Sequence, residues 1–200
     1  MATKVLRDDI DKFFEYGLYL PNRHMFMGSA AYDYEAGETG TDHLMAERAI
    51  KNLHILDSLA PDGDKEITII MNNLGGLLYH ALAIYDAIMA CRNHVTILGT
   101  GHVMSAGSLI FQAADDRVLS PNATVMIHYG TTGYYDHPKI VRSWAKEDER
   151  VCQLMRNIYL ESIRAKHPFF EEEEIDKLLN FDTILTAEEA VEMGLADRVE

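Results

Sequence analysis

Cysteine is nearly missing: the chain of 200 residues holds two, Cys91 and Cys152. Both fall in helix-like segments, so the sequence offers neither a disulfide framework nor a metal-ligand cluster, and the count suits a reducing compartment. Basic residues are the next scarcity. Eighteen lysines and arginines face 32 acidic residues, and the net charge of −14 argues against a nucleic-acid-binding surface. Long apolar runs are lacking as well: none approaches membrane-spanning length, and the opening "MATKVLRDDIDKFFEYG" is too acidic for a signal peptide. No internal repeat or low-complexity tract occurs beyond a short acidic run at 171–174. What remains, 48% hydrophobic and 25% charged, predicts an untargeted, cytoplasmic chain folding as one globular domain over residues 1–200.

Strand and helix signals alternate. "HMFMGSA" (24–30) predicts a short strand, and the glycine-broken stretch 31–42 a polar loop. Thr41 or Asp42 then caps a helix with Met45, Ala49, Leu53 and Leu56 on one face. "EITIIM" (66–71) is a β-branched run of the buried-strand type. "NNLGG" turns the chain into a helix from about Leu77 to Arg92, and "HVTILG" (94–99) supplies a third strand. "RVL" and "TVMIH" (124–128) are further short strands. One long helical pattern runs from Pro138 to Lys166, with proline in its first turn. The closing "TAEEAVEMGLADRVE" carries a capping box, Thr186 with Glu189, and a helix stop at Gly194. Such strand–helix repeats with short turns predict an α/β fold around a largely parallel sheet. Active sites of these sheets gather at the carboxyl ends of strands, where "NNLGG" and "GTGHVMS" stand.

Within "GTGHVMSAGSLIFQAAD" (99–115), Ser105 lies where strand gives way to helix. Serine at a helix start is usually a cap. The same position also offers free N–H groups and the positive end of a helix dipole, which suit an oxyanion. The nucleophile elbow of the α/β-hydrolases is excluded, because Val103 stands where that pattern needs glycine. His128 ends the next strong strand and could serve as base; His102 is nearer in sequence, and nine histidines leave room for chance. With 32 acidic residues, no orienting carboxylate is singled out by composition. The residues alone permit a Ser–His–carboxylate set without selecting one.

From about residue 42 to the end, the chain resembles the proteolytic subunit of the Clp protease, a serine peptidase related in fold to the crotonases. "EITIIMNNLGG" resembles the family's strand and Ser-Pro-Gly-Gly turn, and "ALAIYDAI" the helix after it. "GHVMSAGSLIFQAAD" resembles the nucleophile segment, and "LSPNATVMIHYG" the segment of the catalytic histidine. "FDTILTAEEAVEMGLADRV" resembles the segment of the catalytic aspartate. The resemblance implies a triad of Ser105, His128 and Asp182, with the backbone N–H groups of Gly76 and Ala106 as oxyanion donors. It further implies repeated β-α units with a long protruding handle helix at about 138–166. The assembly implied is two stacked heptameric rings, digesting unfolded polypeptides delivered by an AAA+ unfoldase. No cofactor or metal is implied in this chain, ATP being used by the unfoldase alone. Ser108, one turn beyond Ser105, is expected to tolerate replacement.

Departures from the family pattern are Leu74 for proline in the Gly-Gly turn, Tyr129–Gly130 for Gln-Pro after the histidine, and Phe181 for the arginine that pairs across two rings. Only nine residues precede "IDKFF", too few for the family's axial hairpin, so a less gated pore is expected. Other readings are a viral capsid-maturation protease of the same fold, a catalytically silent ring subunit, and a crotonase-type acyl-CoA hydratase or hydrolase. A hydratase has no need of the full Ser–His–Asp set, and silent paralogues lose members of it; none is missing here.

Overall fold

Alternating apolar runs and capped amphipathic helices give the order of elements. The first half comprises α1 (Arg7–Tyr16), β1 (Leu18–Tyr19), β2 (His24–Gly28), α2 (His43–Ser58), β3 (Ile67–Asn73), α3 (Leu78–Met89) and β4 (Val95–Met104). The second comprises α4 (Ala106–Phe111), β5 (Asp116–Leu119), β6 (Thr124–Ile127), α5 (Pro138–Lys166), α6 (Glu172–Leu179), β7 (Thr183–Thr186), α7 (Ala187–Met193) and β8 (Arg198–Val199). The computed structural model describes residues 7–28 and 40–200. The stretch 29–39, most of the expected loop, and residues 1–6, most of the segment before "IDKFF", lie outside it.

The sheet runs β1-β2-β3-β4-β5-β8, parallel throughout except for the antiparallel β1–β2 pair. β3 alternates, burying Ile67, Ile69, Met71 and Asn73. β4 is longer than its apolar run suggested, continuing to Met104. It does so through a bulge: Met71 faces Gly99, whereas Asn73 faces Val103, so β4 carries two more residues than β3 between these pairs. The Asn72 carboxamide fills the gap by accepting the His102 N–H at 3.0 Å, beside Gly101 at φ +60°. Beyond the bulge β4 changes neighbours. Its first half pairs with β5 and its second half with β6, which pairs in turn with the antiparallel β7.

Helices cover the sheet with the faces their sequences predict. Asp42, not Thr41, caps α2, accepting the Met45 N–H at 2.9 Å, and Met45, Ala49, Leu53 and Leu56 are buried. α4 is buried all round, as expected of a short helix without a polar face. Thr186 and Glu189 form the capping box of α7, and Gly194 ends it at φ +90°. The acidic run at 171–174 is no tract but a helix start. Glu171 and Glu174 form a capping box for α6, and acidic residues there complement the helix dipole. One apolar core extends from Leu18 to Ala196.

α5 has the bounds read from the sequence. At 29 residues it is about 43 Å long, yet its buried residues, from Val151 to Ile163, all lie beyond its first 13 positions. Ile140 and Trp144 of the first half are exposed. Among the described residues, no helix is long and apolar enough to cross a membrane.

Candidate active site

A single residue separates β4 from α4, and that residue is Ser105. Turning from strand to helix in one step gives it φ +52° and ψ −126°, a conformation L-residues rarely adopt. Such backbone strain costs about 1–3 kcal/mol and persists only where the surroundings over-determine it. Here the Ser105 N–H donates to the Met126 carbonyl at 2.8 Å, and its carbonyl accepts from the N–H groups of Ser108 and Leu109. The hydroxyl makes no capping bond. It lies instead 2.7 Å from His128 Nε2, which rejects the capping reading.

His128 is brought there by register. Met104 pairs with Met126, so the residues just past the ends of β4 and β6 emerge side by side. The antiparallel partner does the rest: Ile127 faces Thr183, and one step further Asp182 faces His128. Asp182 Oδ1 lies 2.7 Å from His128 Nδ1. With Nδ1 protonated and donating to Asp182, Nε2 is left to accept the Ser105 O–H. The Asp182 side chain is 67% exposed, whereas that of His128 is 21% exposed.

The two glycines sit against this line. Gly75 and Gly76 have φ of +103° and +145°, and a Cβ on Gly75 would come within 2.5 Å of the Ser105 Cβ. The turn is braced by groups the sequence did not flag. Asn73 is buried and its Oδ1 accepts the Gly75 N–H at 2.8 Å. Thr41 is buried as well; its N–H donates to the Gly75 carbonyl, and its carbonyl accepts from Leu77. Gly107 lets α4 close on the Asn73 carbonyl, where a Cβ would stand at 2.8 Å. The N–H groups of Gly76 and Ala106 find no acceptor among the described residues, the latter as the first residue of a helix. They are therefore available to an added oxygen.

Ser105 and His128 open into a cavity of about 740 Å³. Leu77, Leu78 and Tyr79 form one wall, and Val151 and Met155 of α5 another. Tyr134 also lines it, stacked on Trp144 and donating to Asp148. The Tyr79 hydroxyl donates to Glu147, which Arg150 foremost holds down to about 2, so this carboxylate is ionised near neutrality. Tyr129 ties the far end of β6 to α6: its N–H donates to the Leu179 carbonyl and its hydroxyl to Asp176, itself bridged to Arg156 of α5. Phe181 projects into solvent at 77% exposure, beside Asp182. A second, apolar cavity of about 560 Å³ lies between α1, β2 and α2, lined by Phe13, Phe14, Met25, Phe26 and Met45.

Comparison with known proteins adds two findings. Residues 36–200 match the sequence model of the family described as Clp protease. The chain is also 30% identical, over 186 residues, to the ATP-dependent Clp protease proteolytic subunit of Deinococcus radiodurans, covering 92% of this chain and 83% of that protein.

Proposed function

Since the chain belongs to the Clp protease family, a family of peptidases, we propose that it is a serine endopeptidase whose triad is Ser105, His128 and Asp182. The observation that carries this is the unbroken line from Ser105 Oγ through the imidazole to Asp182, 2.7 Å at each step, with the serine hydroxyl turned away from the helix it would otherwise cap. In the reaction, His128 Nε2 takes the hydroxyl proton as Oγ attacks a peptide carbonyl. The Gly76 and Ala106 N–H groups meet the developing oxyanion. His128 then passes the proton to the leaving amine, and the acyl group remains on Ser105. Water, deprotonated by the same imidazole, releases the acid and restores the enzyme. Asp182 holds the Nδ1–H tautomer and stabilises the imidazolium. No step calls for a metal or cofactor.

The substrates proposed are unfolded polypeptides, digested within a ring-shaped homo-oligomer in the cytoplasm and delivered by an ATP-dependent unfoldase. The exposure of Ile140 and Trp144 near the start of α5 supports packing between copies. The apolar cavity beside α1 is the surface proposed for the unfoldase. Neither the family match nor the relative's name favours a maturation protease, a silent ring subunit or a hydratase.

The deciding experiment is reaction with a fluorophosphonate probe, followed by identification of the labelled residue. Label on Ser105, lost in Ser105→Ala together with several orders of magnitude in peptide hydrolysis, is the expected outcome. Undiminished hydrolysis of a small fluorogenic peptide by Ser105→Ala refutes the reading.

A further inference from the structure

Two buried hydroxyls that the reaction does not use hold the Ser105 turn from behind. Ser108 and Tyr159 are fully buried, on α4 and α5 respectively, with Ser108 Oγ 2.7 Å from Tyr159 Oη. Ser108 Oγ is also 2.7 Å from the Ser105 carbonyl and 2.9 Å from the Met126 carbonyl. Met126 is the residue that accepts the Ser105 N–H, and it stands two positions before His128. Ser108 therefore staples both sides of one junction, joining the strained serine to the strand that leads to its base.

The proton count is consistent with this arrangement. Tyr159 donates to Ser108, and Ser108 shares its own proton between the two carbonyls, so neither buried hydroxyl lacks a partner. Tyr159 Oη stands in addition 3.4 Å from the Ser105 carbonyl. Burial pushes the phenol far above its ordinary range, keeping it a neutral donor around pH 7. The helix bonds from the Ser108 and Leu109 N–H groups would survive loss of these hydroxyls, because they come from the backbone. What would be lost is the side-chain staple, leaving the bond from the Ser105 N–H to the Met126 carbonyl to tie turn to strand alone. The expectation that Ser108 tolerates replacement is thereby reversed.

We propose that Ser108 and Tyr159 are positioning residues that hold Ser105 in its strained conformation and set its distance from His128. This rests on the reading of Ser105 as the nucleophile. A shift of about 1 Å in a reacting group can cost about a hundredfold in rate, so partial release of the turn reaches the chemistry before it reaches the fold.

The test compares Tyr159→Phe, Ser108→Ala and the double variant by fluorophosphonate labelling rate at Ser105, by kcat and KM for a small fluorogenic peptide, and by thermal melting. Each single variant is expected to lower kcat and labelling about tenfold or more, with KM within about twofold. Ser108→Ala alone strands the Tyr159 hydroxyl and the double variant removes that group, so the double variant melts above Ser108→Ala while its labelling stays slow. Labelling that recovers along with melting, or singles labelled at the wild-type rate, overturns the proposal and leaves the nucleophile reading intact. A wild-type protein not labelled at Ser105 removes that reading and this inference together. If Tyr159→Phe fails to fold, Ser108→Ala and the double variant decide.

Discussion

Replacing Gly75 by alanine puts a methyl group in place of a hydrogen at the most crowded point of the site. The new Cβ would lie 2.5 Å from the Ser105 Cβ, 2.9 Å from the Met104 carbonyl oxygen and 3.0 Å from Ser105 Oγ. Ordinary contact begins at 3.4 Å, so about 0.9 Å must be found between the two side chains. Met104 cannot give easily, because it is hydrogen-bonded into β4 opposite Met126. The serine must move, or the 73–77 turn must. Either movement breaks the 2.7 Å contact with His128 or withdraws the Gly76 N–H. A displacement of about 1 Å corresponds to a loss of about a hundredfold in kcat. The φ of +103° adds backbone strain of about 1–3 kcal/mol, enough to lower the melting temperature without unfolding the chain. Steady-state hydrolysis of a fluorogenic peptide, with kcat and KM separated and circular dichroism on the same sample, measures both. A folded Gly75→Ala variant with kcat within about threefold of wild type would refute the reasoning, since the turn would then have slack.

Asp182→Asn should lower kcat by about a hundredfold or more while preserving the fold, because an amide favours the wrong imidazole tautomer. An unchanged kcat would deny Asp182 its orienting role. At Asp57 burial alone would raise the carboxyl, but hydrogen bonds from Asn93 and Arg92 outweigh it and hold the group down to about 2. Its contribution to stability is therefore complete above the ordinary carboxylate value near 4 and is lost as pH falls toward 2. Asp57→Ala should cost roughly 1–3 kcal/mol at pH 7 by leaving the backbone N–H of buried Asn93 without its acceptor, and the deficit should shrink in acid melts. Replacing Ile140 and Trp144 by serine should shift sedimentation toward smaller species with little change in melting. With Phe181 in place of a charge, that association should respond weakly to salt. Wild-type protein that sediments as monomer across micromolar concentrations would contradict the assembly.

Local signals proved legible where the sequence states them twice. α5 was bounded correctly because proline opens it and its apolar residues keep helical spacing; α7 was bounded by a capping box and a glycine. The extension of β4 was not legible, since "TGH" has no apolar alternation and its pairing depends on the Asn72 side chain from another strand. The positive φ of Ser105 is invisible in its residue type, which reads as a cap. Asp182 could be chosen only by resemblance. Its approach to His128 depends on β7 returning antiparallel to β6, a four-residue pairing between segments more than 50 residues apart. Thr41 reads only as a possible cap and Tyr159 carries no signal of its own, for each acts through a partner remote in the chain. Asn73 reads only as part of a turn; the signal that could have found it is an asparagine two residues ahead of a glycine, whose side chain can bond that backbone N–H.

The division of β4 at Gly101 separates the amide ladder into two unequal parts. One joins β2, β3, β5 and β8 to the first half of the strand; the other holds β6 and β7, four residues each, on the second half, which β3 meets only where Asn73 faces Val103. Ser105 hangs from the shared strand, whereas His128 and Asp182 belong to the small ribbon. A ribbon with so few bonds is expected to open at lower free energy than the strands it leans on. Its amides should then exchange with deuterium ahead of those in β3. Warming would then part the base from the nucleophile while most of the sheet still stands, and cooling would bring them back together.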